Sequence, residues 1–552
     1  MESLDSSVRP ISDPLRHESP SISLIPHFSP RSRFSLRSAS ATSTSQDAVL
    51  SQTGLSSKSS TFSSSDGSDP GVSQFPSVKL PTETIHRTVF NVQERKKFVP
   101  NCWLRQMVLS LDGGGVRGLA SLYILEQLMI EVVKKELEID ESVRSSDASP
   151  FVEATDVISE SRNGILTSDD MVNHERFLPC HYFDYIGGTS MSGIIAVMLG
   201  RLQLPVSGAI QRYEKLCREM AINAKRSSRM LSVRKRFNNA LDNALLKSIF
   251  SDDLGNFGKP NELLNLGSDR NKCKTIVLAM EVDRKQGVWR PHLFRSYEFK
   301  PVNVTSFNRN TATECEPTPL KSLCQVTAAS PKYFRSVRIG NRKFYDGSSW
   351  MTNPAMEMYR EIDAMHPMPK RNVSPMYGIV SIGCGSRRSG LIPSKAATRH
   401  DWEQKLVDKK LSLGQGTGHD RYRYIRLDPD TPWMNSIDTA PGIDAEKTIR
   451  LIREATTEYC KRDDVRVNIE SCASLIVQYR HQRARTPQWE RFALGVRYSC
   501  TLCQEVGRDA GDLGDRDDFA DHLLLQHKAE YPDTRAFAGK RGLASFRTYP
   551  NR

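Results

Sequence analysis

A chain of 552 residues can hold a large catalytic domain with appendages, but only 38% of it is hydrophobic, so part of it is not expected to pack into a core. No apolar run approaches the ~18 residues that a membrane-spanning helix needs, which excludes an integral helical membrane protein. Eleven cysteines without a disulfide framework, and no signal peptide, predict a reducing, cytoplasmic setting, and the formal charge of +13 directs attention to anionic partners.

The first 75 residues account for the missing apolar content, since stretches such as "GLSSKSSTFSSSDGSD" are rich in serine and poor in aliphatics. A disordered tail over 1–95 is expected, because such a segment cannot bury enough apolar surface to offset its ordering entropy. A transit peptide is the competing reading, with Arg31, Arg33 and Arg37 among serines. Glu2, Asp5, Asp13 and Glu18 near the start, and the lack of an apolar core, argue against it.

From Arg105 the texture changes. Met107 to Leu111 reads as a buried strand, followed by Gly113, Gly114 and Gly115 and by a helix with Leu119, Leu122, Tyr123, Leu125, Leu128, Met129 and Val132 at helical spacing. The loop is not a phosphate loop, since no G-K-[ST] closes it, and forced into G-x-G-x-x-G it lacks a well-placed acidic partner. Consecutive glycines before a helix do let backbone N–H groups converge on an anion. If that anion is the oxygen of a tetrahedral intermediate, the loop is an oxyanion hole, with Arg117 holding it or adding positive potential. The polar stretch that follows, up to about residue 170, is expected to be a surface excursion.

A second strand–glycine–helix unit, "YFDYIGGTSMSG", carries Ser190, with Gly188 and Ser192 at the small positions around it and Gly193 next. Such an elbow exposes a serine for nucleophilic attack, although G-x-S-x-S alone is equally an ordinary glycine turn. Strand, glycine turn and helix repeated predict an α/β fold with a mostly parallel sheet and ligands at the carboxyl ends of its strands. Further on, Ala221 to Ala240 contains six Lys/Arg and no acid. It reads either as a solvated face or as a surface for anionic lipid, with nucleic acid a weaker option. "RKFYDGSSWMTNP" then gives a strand, Arg342 to Tyr345, ending in Asp346-Gly347, and a helix start at Asn353-Pro354. An aspartate is a weak base at its reference pKa of ~3.9, but desolvation raises it and makes contact with a serine hydroxyl useful.

Three stretches, "DGGGVRG" (Asp112 to Gly118), "GTSMSG" (Gly188 to Gly193) and "DGS" (Asp346 to Ser348), together resemble the patatin-like phospholipases, lipid acyl hydrolases with a Ser–Asp dyad and no histidine. "VTAASPKYFRSVRI" and "GIVSIGCG" also look like that family, and the arrangement is that of fungal members. The resemblance implies a three-layer patatin-like fold over 105–395, completed by mainly helical residues 396–495. It implies Ser190 as nucleophile, Asp346 as base, an oxyanion site built by Gly113, Gly114, Gly115 and Arg117, and Gly347 as the turn after the base. Neither a metal nor another cofactor is implied at that centre. Phospholipid or acylglycerol is the implied substrate, with peripheral contact at an anionic membrane surface. Ser192 stands where the family usually has glycine, serine follows Asp346-Gly347, and Gln325 replaces a usual arginine. These departures make a catalytically weak interaction or regulatory protein the alternative.

At the C-terminus, Cys500 and Cys503 are followed after eighteen residues by His522 and His527. This resembles a two-cysteine, two-histidine zinc finger, with thiolates on a hairpin and imidazoles on one helix face. A structural zinc in a small ββα module over 498–530, followed by a tail over 531–552, is the expectation. Its acidic loop argues for a protein partner and against nucleic acid, although a zinc-finger nucleic-acid-binding protein stays as a further alternative.

Overall fold

The computed structural model describes residues 101–141, 143–149, 174–226, 233–251, 258–265, 272–282, 288–301, 317–331, 334–349, 351–366, 374–385, 407–412, 422–429, 444–508, 513–527 and 547–548, with a few single positions between them. The serine-rich tail expected over 1–95 lies outside the described residues. The described residues all fall within the unit His86–Arg552.

Strand β1 (Gln106–Leu111) and strand β2 (Tyr185–Thr189) are buried along their whole length, which is what a strand covered on both faces requires. With β3 (Lys274–Val282), β7 (Met376–Ile382) and β8 (Arg423–Leu427) they form a parallel array in the order β3-β2-β1-β7-β8. Alternate side chains feed two cores. Met107, Leu109 and Leu111 join one with helices Gly118–Ile139, Val206–Arg226 and Asp463–Ala484. Val108 joins the other, with Ala355, Met358 and Ile362 of helix Ala355–Met365. The result is three layers, helices on each face of a mostly parallel sheet. All seven apolar positions predicted for the first helix are buried.

The sheet edge beyond β3 departs from a simple parallel pattern. Strand β4 (Trp289–Arg295) runs antiparallel along one side of β3, from Ile276 to Val282. Strand β6 (Arg342–Asp346) is also antiparallel to β3, over Ala279–Glu281 only. Since β4 occupies one side there, β6 must use the side on which β2 pairs up to Leu278. Strands β2 and β6 therefore lie end to end against β3 and point at each other, Thr189 opposite Leu278 and Asp346 opposite Ala279. Strand β5 (Val337–Ile339) closes a hairpin onto β6, with Gly340 at φ +54° in the two-residue turn.

One detail differs from the sequence reading, and another lies largely outside the described residues. The stretch after Asp140 was expected to be a surface excursion, yet residues 143–149 are fastened down. Val143, Ser146 and Ser149 are buried, and Arg480 Nε donates to the Ser146 carbonyl at 2.9 Å. The basic stretch Ala221 to Ala240 spans the end of helix Val206–Arg226 and the start of Val233–Ser248. Its residues 227–232, and the side chains of 223–240, lie outside the described residues. Among the described residues no helix is long and apolar enough to cross a membrane.

Candidate active site

The head-to-head arrangement of β2 and β6 brings Ser190 and Asp346 together. Ser190 follows β2 directly and has φ +57° and ψ −142°, a left-handed conformation that costs a non-glycine residue roughly 1–3 kcal/mol. Helix Met191–Ala196 starts immediately after it. Thr327 Oγ1 donates to the Ser190 carbonyl at 2.8 Å, as does the Gly193 N–H at 2.9 Å, and these bonds hold the elbow. Its geometry demands small neighbours: a Cβ on Gly188 would sit 2.3 Å from the Ser192 carbonyl oxygen, and one on Gly193 would sit 2.3 Å from Thr327 Oγ1. Ser192 fits in place of a glycine, but its Oγ is buried without a hydrogen-bond partner. Gln325, where the family usually has arginine, donates through Nε2 to Asp242 Oδ1.

Ser190 Oγ donates to Asp346 Oδ2 at 2.7 Å, and Asp346 Oδ1 accepts the Ser348 N–H at 2.8 Å. Gly347, between them, is wedged against β3, where a Cβ would meet the Leu278 carbonyl oxygen at 2.7 Å. Asp346 is 1% exposed, and burial pushes its carboxyl up to about 6, against the pull of its hydrogen bonds from Ser190 and Ser348. It can therefore hold or release a proton near neutral pH. No histidine hydrogen-bonds either residue among the described residues. His181 is turned toward Ser146 Oγ (2.6 Å) and the Ala493 carbonyl (3.2 Å). His292, on the opposite side of β3, sits at 3.0 Å from Arg342 Nη2.

The glycine loop lies against this pair. A Cβ on Gly113 would stand 3.0 Å from the Ser190 Cβ, and one on Gly114 only 2.0 Å from Cys384 Sγ. Gly115 has φ +59°, which favours glycine. The expected roles within the loop divide. The Gly113 N–H donates to the Thr352 carbonyl at 2.9 Å, so it is occupied; the N–H groups of Gly114 and Gly115 meet no backbone or side-chain acceptor among the described residues. Arg117 is a brace, its Nη1 donating to the Gly385 carbonyl at 2.9 Å.

A clamp that the sequence reading missed holds the loop from below. Arg426, on β8, grips Asp112 through Nη1–Oδ1 at 2.9 Å and Nη2–Oδ2 at 2.6 Å, and also reaches Asp428 at 2.8 Å. Asp428 in turn accepts the Gly385 N–H at 2.9 Å. Burial pushes the Asp112 carboxyl up to about 6, and the guanidinium opposes it; facing a permanently charged arginine the pair is ionic. The only sequence signal was the charged residues spaced through the otherwise strand-like "RYRYIRLD".

The four C-terminal residues also converge. Cys500 Sγ, Cys503 Sγ, and one nitrogen each of His522 and His527 lie within 4.8 Å of one another. The expected hairpin for the thiolates does not form. Cys500 instead caps the short helix Thr501–Glu505, and its Sγ accepts the Cys503 N–H at 3.5 Å. Strand β9 (Arg497–Tyr498) precedes them and pairs with β10 (Arg547–Thr548), some twenty residues past the histidines. His522 is on helix Arg516–Gln526, while His527 just follows it.

The elbow, the buried carboxylate and the glycine loop meet at one edge of the sheet of an α/β scaffold. Residues 109–359 match the sequence model of the family described as Patatin-like phospholipase. Calcium-independent phospholipase A2-gamma from Homo sapiens is 24% identical over 287 residues, covering 51% of this chain and 28% of the relative. The same protein from Rattus norvegicus is 22% identical over 285 residues, with 29% of it covered. The match thus spans under a third of the length of these relatives. A structure titled human GIVD cytosolic phospholipase A2 in complex with methyl gamma-linolenyl fluorophosphonate aligns at 12% identity and a TM-score of 0.31, over 71% of this chain and 62% of that one.

Proposed function

We propose that this protein is a lipid acyl hydrolase that cleaves fatty acyl esters of phospholipids or acylglycerols through Ser190 and Asp346. The observation that carries the reading is the 2.7 Å hydrogen bond from Ser190 Oγ to a buried carboxylate, at a strained strand-to-helix elbow. The family of residues 109–359 and the phospholipase names of the relatives support the substrate class.

In the first half-reaction Ser190 Oγ forms a bond to the acyl carbon as its proton passes to Asp346 Oδ2. The developing oxyanion is met by the N–H groups of Gly114 and Gly115, each such donor being worth about 3–4 kcal/mol in other hydrolases. Collapse breaks the ester C–O bond, and the leaving alkoxide takes the proton from Asp346. In the second half-reaction water attacks the acyl-serine while Asp346 takes one of its protons, and that proton returns to Ser190 Oγ as the fatty acid departs. Arg117 and the Asp112–Arg426 pair position the loop without touching the reacting atoms. The scheme asks for no metal, so hydrolysis should survive a chelator.

We further infer that substrate is met at a membrane surface by peripheral contact, with the cations of Ala221 to Ala240 attracted to anionic lipid at ~1 kcal/mol per residue. The test is release of fatty acid from phospholipid vesicles by the purified chain. Ser190→Ala and Asp346→Asn should each abolish it, and the double variant should be scarcely worse, because the two act as a unit. Undiminished release by folded Ser190→Ala would overturn the reading.

A further inference from the structure

We propose that Cys500, Cys503, His522 and His527 bind one zinc ion, and that this zinc clasps the C-terminal segment onto the catalytic body instead of arming a nucleic-acid-reading finger. The donor geometry is the first support. Cys500 Sγ stands 3.4 Å from His527 Nε2, and Cys503 Sγ stands 3.4 Å from His522 Nε2 and 3.2 Å from His527 Nε2. A tetrahedral ion with Zn–S of ~2.3 Å and Zn–N of ~2.0 Å sets sulfur and nitrogen about 3.5 Å apart, so the four atoms already outline such a polyhedron. Two thiols and two imidazoles are also the soft and intermediate donors that zinc selects over magnesium or calcium.

The second support is where the cluster sits. Both cysteines are buried in one apolar group with Trp489, Phe492, Tyr498, Phe519 and Leu523. Tyr498 stacks on Phe519 at 5.5 Å and donates to Glu490 Oε2 at 2.5 Å, while Arg491 donates to the Gly514 carbonyl at 3.1 Å. The contacts continue inward: Phe492 packs on Trp103 at 5.5 Å, and Arg483 lies over Trp103 at 4.1 Å and pairs with buried Asp184. Asp184 immediately precedes β2, and its Oδ2 accepts the Met107 N–H of β1 at 2.7 Å. The metal-ligand module is thus continuous with the sheet's amino-terminal end, opposite to the end that carries Ser190.

The third support is charge. Helix Arg516–Gln526 carries Asp517, Asp518 and Asp521 against a single arginine, which repels phosphate. A short module with so small an apolar group of its own needs a staple, and metal binding here is folding free energy.

The experiment measures zinc in the full chain purified with zinc supplied and no chelator, then follows what its removal does. One zinc per chain is expected, falling to background in Cys500→Ser/Cys503→Ser. Because that variant can misfold, cobalt is added to zinc-stripped wild-type protein, where the thiolate charge-transfer and tetrahedral d–d absorption bands should appear. His527→Cys, which keeps a ligand, should retain the metal, and His527→Ala should lose it. Stripping should lower the thermal midpoint of the whole body and open residues 497–527 to protease. Absence of both zinc and the cobalt bands overturns the site. Metal bound but removable with an unchanged midpoint overturns the clasp. Neither outcome bears on the Ser190–Asp346 reading.

Discussion

Asp346→Asn should stabilise the protein while removing its activity, and the gain should depend on pH. The wild-type carboxylate is 1% exposed, and burial lifts its pKa from the ordinary 3.8 to about 6. At ~1.4 kcal/mol per pH unit, that rise makes ionised Asp346 cost the fold on the order of 3 kcal/mol. Because the folded-state pKa is raised, the folded protein holds the extra proton between pH 3.8 and about 6, so stability is lost as pH rises through that window and is level above it. Asparagine never ionises. Its Oδ1 can still accept the Ser348 N–H, and its amide can donate to Ser190 Oγ, so the loss in hydrogen bonding is about 1 kcal/mol. A net gain of ~1–3 kcal/mol is expected above pH 6, shrinking toward zero near pH 4. Urea unfolding of both proteins at pH 4 and pH 8 measures it. The reasoning fails if Asp346→Asn is the less stable protein at pH 8, or if the difference is the same at both pH values. The same titration predicts that wild-type hydrolysis declines as pH falls through about 6.

Gly114→Ala should abolish hydrolysis by displacing the loop, since its Cβ would fall 2.0 Å from Cys384 Sγ; additional Cys384→Ala should restore part of the rate, and kinetics of the two folded variants decide it. Ser192→Ala removes a buried hydroxyl that has no partner and should raise stability by ~1 kcal/mol in thermal unfolding with activity retained. Arg426→Met leaves the Asp112 carboxylate buried and unpaired, and should cost ~3–5 kcal/mol; Arg426→Met with Asp112→Asn should recover much of it.

The chemistry-bearing motifs were legible because each is local. The glycine loop, the elbow and Asp346-Gly347 announce themselves through small residues demanded by backbone approach, and the helix after Gly118 through its apolar period. What joins distant segments was not legible. Arg426 lies 314 residues from Asp112, and nothing in a strand-like run says that one cation faces a loop on another strand. The meeting of Ser190 and Asp346 was expected on the ground that both end strands of a parallel sheet. They do meet, but because β6 runs antiparallel and abuts β2 end to end. Gly113 was grouped with its neighbours as an oxyanion donor, since sequence cannot show that Thr352 takes its N–H. The Cys500–Cys503 spacing suits a hairpin or a helical turn equally, and the partner strand β10 came from beyond the expected module.

The central claim is that Ser190 is a nucleophile activated by Asp346 alone, and a covalent label tests it most directly. A serine-reactive fluorophosphonate, followed by peptide mass analysis, should modify wild-type protein at Ser190. The label should be nearly absent from folded Asp346→Asn, and retained in His181→Ala and His292→Ala. Label on another serine, undiminished labelling of Asp346→Asn, or its loss in a folded histidine variant would contradict the account.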